Sequence, residues 1–209
     1  AFEWDFEDGT LGDWQQEEQT PWVVASGQTA VYGKAPLADH TRQNVLGKYA
    51  YVPIDATGGP IYYSTIGIRS IPRGVPYCLD FWYQAFISSD TVLNVYMQNG
   101  TAEHTNIWRR PGTTARDQWT HSSVNLGVNH GTAHLSISAA VVPRSTGYVA
   151  IDDVRILNGA CPSARVCDFE DDSICGYQND ATADFTWSRH KGSTSSSTTG
   201  ATNGMFKRK

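Results

Sequence analysis

Seven consecutive residues, Cys78-Leu79-Asp80-Phe81-Trp82-Tyr83-Gln84, restrict the fold more than any other part of this 209-residue chain. Side chains alternate along an extended backbone, so Leu79, Phe81 and Tyr83 fall on one side and Asp80, Trp82 and Gln84 on the other. Alternation this regular, in residue types that favour strands, predicts a half-buried β-strand. Similar patterns predict strands near residues 22–25, 47–51, 61–68, 78–87, 92–98, 106–109, 119–126, 133–142 and 148–157. Between them lie Gly58-Gly59-Pro60, Pro72-Arg73-Gly74, Pro111-Gly112, His130-Gly131 and Ser145-Thr146-Gly147, all turn-forming runs. Nowhere does an apolar period of 3.6 residues persist for three turns. Many short strands with turn punctuation predict an all-β, antiparallel β-sandwich of jelly-roll or immunoglobulin-like topology. Asn99-Gly100 is the strongest hairpin signal, because both residue types tolerate positive φ.

An internal repeat sets the length of the unit. Asp5-Phe6-Glu7-Asp8 returns letter for letter as Asp168-Phe169-Glu170-Asp171, 163 residues later. Trp14-Gln15 then corresponds to Tyr177-Gln178, and after a small shift Trp22 to Trp187 and Gly27 to Gly192. A period of roughly 160 residues is several times longer than a solenoid repeat and implies tandem domains. The expected organisation is one domain over residues 1–161, a linker over 162–166, and the N-terminal part of a second, incomplete copy over 167–209. The Ser- and Thr-rich run 192–200 is read as part of that copy, which is too short to bury a core of its own. Either the chain is a piece of a multi-domain protein, or a second polypeptide completes the C-terminal unit, or Phe206-Lys207-Arg208-Lys209 marks a processing cleavage after Lys209.

Charge narrows the partners. With 21 acidic against 16 basic residues, and its only basic cluster at the last three positions, the chain has no surface suited to tracking a phosphate backbone, so nucleic acid is not an expected partner. No apolar run approaches a membrane span and no signal sequence opens the chain, so no membrane insertion is expected in this segment. Four cysteines admit three pairings, and their spacings contain no C-x2-C of the kind that holds zinc.

An ordered set of motifs then carries a family resemblance. Phe6-Glu7-Asp8-Gly9, Asp39-His40-Thr41 followed by Gly47-Lys48-Tyr49, Cys78 to Tyr83, Leu93 to Tyr96, Trp108, Trp119, and Ala150-Ile151-Asp152-Asp153-Val154 with Cys161 appear in sequence. Over residues 2–161 the chain resembles a MAM domain, the extracellular module of meprins, neuropilins and adhesive receptor tyrosine phosphatases, and Cys167 to Gly192 resembles the start of another. The resemblance implies a jelly-roll, galactose-binding-like sandwich, with Cys78 paired to Cys161 and Cys167 to Cys175. An earlier cysteine pair usual in the family is absent, since Trp4 and Gly12 stand at its positions. Packing of Phe2, Trp4, Phe6 and Trp14 is expected to hold the opening instead. The resemblance also implies a structural Ca2+ ion on Glu7, Asp39, Asp152 and Asp153, carboxylates that would repel one another without a cation between them. Val149 and Ile151 lie on one phase of the strand alternation and Val154 and Ile156 on the other, which predicts a β-bulge at Asp152-Asp153.

Other candidates are plainer. The six histidines show no metal-protease spacing, and neither a nucleophile elbow nor a phosphate loop is present. Adjacent carboxylates such as Glu17-Glu18 point to opposite faces of a strand and make poor acid/base partners. Trp82, Trp108 and Trp119 could stack sugars but are expected in the core. Asn99-Gly100-Thr101 is a glycosylation sequon on an exposed turn. The function this implies is non-catalytic adhesion outside the cell, by contact with other extracellular proteins, including like domains. A carbohydrate-binding module and a structural bead of an extracellular filament or matrix are the alternatives.

Overall fold

The computed structural model describes residues 2–17, 21–71, 74–87, 90–128 and 132–162. The chain divides into two units, Ala1–Cys161 and Pro162–Lys209, and the description concerns the first. The expectations for Cys167, Cys175 and the second copy lie outside the described residues.

Among the described residues, eleven strands form two antiparallel sheets. They are β1 (Phe2–Trp4), β2 (Gln15–Gln16), β3 (Val23–Ser26), β4 (Lys48–Asp55), β5 (Tyr62–Ile71), β6 (Pro76–Ile87), β7 (Val92–Asn99), β8 (Thr105–Pro111), β9 (Thr120–Val128), β10 (Ala133–Val141) and β11 (Thr146–Asn158). One sheet runs β3-β4-β11-β6-β9 with β1 also on β11, and the other runs β2-β5-β10-β7-β8. All nine expected strands are present. The two short ones, β1 and β2, carry too few residues to show a period.

The core lies between the sheets and is built from the inward set of each strand: Ala50, Val52 and Ile54 of β4, Leu79 and Phe81 of β6, Leu93 and Val95 of β7, Leu135 and Ile137 of β10. The predicted bulge is in place. Pairing of β11 with β6 slips between Asp152 and Arg155, and Asp153 has φ of 45°. The extra residue brings Val149 and Ile151 on one phase, and Val154 and Ile156 on the other, into the same core. It also divides the strand's outer edge: β4 pairs with residues up to Ile151 and β1 with Val154 to Ile156.

Cys78 at the start of β6 is bonded to Cys161 just past the end of β11, with Cα atoms 4.7 Å apart. A closure across 83 residues of sequence restricts the unfolded chain and stabilises the fold by about 4 kcal/mol. At the other end, Trp4 and Gly12 touch. A Cβ on Gly12 would lie 2.9 Å from Trp4 Cδ1, so the indole fills the space between these two positions. Trp4, Phe6 and Trp14 are buried as expected, with Trp4 edge-on to Trp14 at 5.4 Å. Phe2 is not: it stacks on Trp4 at 6.2 Å but stays 42% exposed on the short strand β1.

β6 departs from the half-buried expectation. Its polar side is covered as well, with Asp80 only 4% and Gln84 only 2% exposed. His121 of β9 and Arg155 of β11 engage Asp80 and Tyr148 of β11 engages Gln84, while the segment between the 3-10 turn Gly27–Thr29 and β4, residues 30–47, lies over Trp82 on the outside of the six-stranded sheet as a strap.

Candidate functional site

The strap is fastened at several points along its length. Tyr49 Oη donates to Pro36 O (2.6 Å), Leu37 N to Asp117 Oδ1 (3.1 Å) and Trp119 Nε1 to Ala38 O (3.0 Å). The His40 ring lies flat on Trp82, centroids 3.8 Å apart. Beneath, Tyr148 Oη donates to Gln84 Oε1 (2.8 Å), and burial pushes the Tyr49 and Tyr148 phenols upward, so both remain proton donors. These aromatics form a second, smaller core with Ala150 on the outer face.

At the strap's tip three of the four candidate carboxylates grip backbone, and Asp153 grips side chains. Asp39, 1% exposed, accepts from Arg42 N (2.5 Å) and Asn44 N (3.1 Å), closing the turn in which Gln43 has a φ of 55°. Gly47 makes this possible, since a Cβ there would stand 2.0 Å from Asp39 Cγ. Glu7 accepts from Lys48 N (2.9 Å) and pairs with Arg42 Nε (3.0 Å). Asp152, fully buried in the bulge, accepts from His40 N (2.8 Å), Thr41 N (3.3 Å) and Asp153 N (2.8 Å). Asp153 meets His40 Nδ1 at 2.5 Å and accepts from Thr41 Oγ1 at 2.9 Å. Bulge and strap are therefore one assembly: where β4 leaves the edge of β11 and β1 has not yet joined it, His40 and Thr41 donate to the side chains of Asp152 and Asp153.

The two aspartates of the bulge are driven apart electrostatically. Burial, with the Asp153 charge adding to it, pushes Asp152 up to about 8 against the N–H of His40. Burial acts on Asp153 too, but hydrogen bonds from His40 and Thr41 outweigh it and hold that carboxyl below the usual range. An oxygen-only, carboxylate-rich set of this kind has the chemistry a calcium ion prefers. Among the described residues, however, no three His, Cys, Asp or Glu side chains form a group able to hold an ion, and the oxygens of these four are engaged by N–H and O–H donors.

Of the other candidates, Asn99 is exposed at the end of β7, and its hairpin partner β8 follows a loop from Gly100 to His104. Trp108 is buried edge-on to Phe81, Trp82 lies under His40 and Trp119 is tied to the strap, so they form packing and not a sugar platform. His121 bonds Asp80 Oδ2 (2.6 Å), with Arg155 on Oδ1 (2.6 Å). The sequence left Arg42 unmarked, and it marked Gly47 only as part of the family motif. Their signal was the long stretch before β4 without strand alternation, which has to lie across something.

A disulfide-closed antiparallel sandwich, with one sheet strapped on its outer face, is the class of domain that this geometry defines. The sequence profile described as MAM domain, meprin/A5/mu matches residues 4–162, and the chain belongs to the MAM domain family. It is 26% identical to thyroid hormone-induced protein B of Xenopus laevis over 206 residues, covering 91% of this chain and 29% of that protein. To human MAM domain-containing protein 2 it is 26% identical over 205 residues, covering 93% of this chain and 29% of the relative. The chain thus spans less than a third of the length of these relatives. In fold it is similar to the CBM22-1 xylan-binding domain of Paenibacillus barcinonensis Xyn10C, with a TM-score of 0.52 and 10% identity over 77% of this chain and 95% of that domain.

Proposed function

We propose that the chain is a non-catalytic adhesion module of a multi-domain secreted or cell-surface protein, acting by contact with other extracellular proteins, like domains included. The family match over residues 4–162 carries this reading. The Cys78–Cys161 bridge supports the compartment, since such bonds persist in oxidising surroundings. The strap supports the mode of action: of the ten large apolar side chains left exposed among the described residues, Val31, Tyr32, Leu37, Val45 and Leu46 all lie on it. Beads coated with the protein should aggregate with one another or with beads bearing an ectodomain partner, and the charged variant Leu46→Asp should weaken this. Beads that stay dispersed in every pairing would remove the reading.

The second copy beginning at Cys167 belongs to the same proposal. An alignment covering 93% of the chain cannot stop at residue 162, so the likeness to the longer relatives continues into that region. Calcium is proposed on Glu7, Asp39, Asp152 and Asp153 because Asp152 is buried beside a second carboxylate, a crowding that a divalent cation relieves. Binding should raise the melting temperature over that in chelator, and superimposable melts would rule the ion out. Carbohydrate binding is the second functional reading. The fold shared with a xylan-binding domain favours it, and a glycan array tests it.

A further inference from the structure

The outer face of the five-stranded sheet carries a cavity of about 640 Å³, in the range of small-ligand sites and remote from the strap. Three strands and a loop supply its walls: Gln15 and Glu17 from β2 and the residue just after it, Gln98 from β7, Thr132 and His134 at the start of β10, and His104 from the β7–β8 loop. Glu17 Oε1 lies 2.5 Å from His134 Nε2, and His104 stands edge-on to the His134 ring at 5.6 Å. The pair closes over Gly67 of β5, where any Cβ would lie 2.2 Å from Glu17 Oε1 and 2.5 Å from His134 Nε2. Glycine at that point is what gives the two side chains their room.

The chemistry of the lining selects its ligand. Among the described residues that line the cavity there is no Lys or Arg, and the single carboxylate is already matched by a histidine, so what is described there is close to neutral. No large apolar side chain lines it either, which excludes acyl chains and other hydrophobic ligands. Carboxamides, a hydroxyl and imidazoles remain, groups that both donate and accept hydrogen bonds. A neutral polyhydroxylated molecule presents the complementary set. We propose that this cavity binds a short neutral oligosaccharide, an assignment that rests on the carbohydrate reading and gives it a place. Two sources share that chemistry. Gly100 also lines the cavity and follows Asn99 of the sequon, so a glycan on Asn99 would stand at its rim, and a glycan on another protein could enter from outside.

The test uses the full chain and three neutral trisaccharides, chitotriose, maltotriose and cellotriose, with inorganic phosphate as the charged control. Affinities come from calorimetry, and amide shifts locate the bound sugar. At least one trisaccharide should shift amides between residues 98 and 104 and between 132 and 134, and phosphate should not. His104→Ala and Gln15→Ala, both changes of exposed side chains, should each weaken binding about tenfold while leaving the melting temperature in place. Binding that shifts other amides and ignores both variants would overturn the site and leave the carbohydrate reading standing. Failure of all three sugars, with a blank glycan array, would overturn both. Asn99→Gln separates the sources: if only the variant binds added chitotriose, the cavity holds the chain's own glycan, and if both forms bind equally the sugar comes from another molecule.

Discussion

The six-stranded sheet has two covered faces made in opposite ways. Its inner face meets the other sheet through aliphatic and aromatic side chains such as Leu79, Phe81, Val149 and Ile151, contacts that are non-directional and add up by area. Its outer face is held by named hydrogen bonds, from His40 and Thr41 of the strap to Asp152 and Asp153, and from His121 of β9 and Tyr148 of β11 to Asp80 and Gln84. The inner face depends on volume. The outer face depends on geometry and on protonation, so the two should respond to different perturbations.

The largest effect belongs to the inner face. Phe81→Ala empties a fully buried ring site against Trp108 and should lower unfolding free energy by about 3 to 5 kcal/mol in denaturant titration, at any pH where the protein is folded. A loss under about 1 kcal/mol would mean that the sheets do not pack as described. Gly47→Ala tests the outer face. Its methyl would collide with the Asp39 carboxyl, so the strap's tip has to shift, at a cost of about 2 kcal/mol. Proteolysis should then open the strap before the sandwich unfolds, and simultaneous loss would make strap and core one cooperative unit.

Proton linkage separates the faces most directly. Asp152 holds its proton up to about 8, against 3.8 for an ordinary aspartate, so the native state binds a proton that the unfolded chain releases. The stabilisation from that proton is complete below 3.8 and is lost as pH rises through about 8. In chelator, the wild-type protein should lose stability across this window with a slope of up to about 1.4 kcal/mol per pH unit relative to Asp152→Asn. Parallel profiles would mean that Asp152 is ionised throughout.

The difference between the faces also explains what could be read from the sequence. Inner-face alternation marks nine strands, and a break in its phase marks the bulge at Asp152-Asp153, because apolar burial leaves a period. The carboxylates Glu7, Asp39, Asp152 and Asp153 stood out only through resemblance, and their partners were not legible. A backbone N–H is present at every residue except proline, so nothing in the letters says that His40 and Thr41 donate to a residue 112 and 111 positions away. Arg42 was missed, and the role of Gly47 went unread, for the same reason: each acts through one contact, not a pattern. The polar side of β6 suggested solvent because polar residues usually face it; here His121, Arg155 and Tyr148 of the neighbouring strands provide the hydrogen bonds that water would.

The smallest expected effect concerns Asp80, which is buried but whose partners His121 and Arg155 are partly exposed. Burial alone would push this carboxyl up, but the hydrogen bonds of His121 and Arg155 outweigh it and hold it below 3.8. The sign is therefore opposite to that of Asp152: Asp80 stabilises the fold above 3.8, and its contribution disappears as pH falls through the depressed native value. His121 is 45% exposed, so solvent screens its share, and His121→Ala should cost less than about 1 kcal/mol near neutrality. Its clearer signature is in acid, where the variant should begin to unfold at a higher pH than wild type because Asp80 keeps only Arg155. If the acid limbs coincide, Arg155 alone sets the charge state of Asp80, and His121 does no more than cover it.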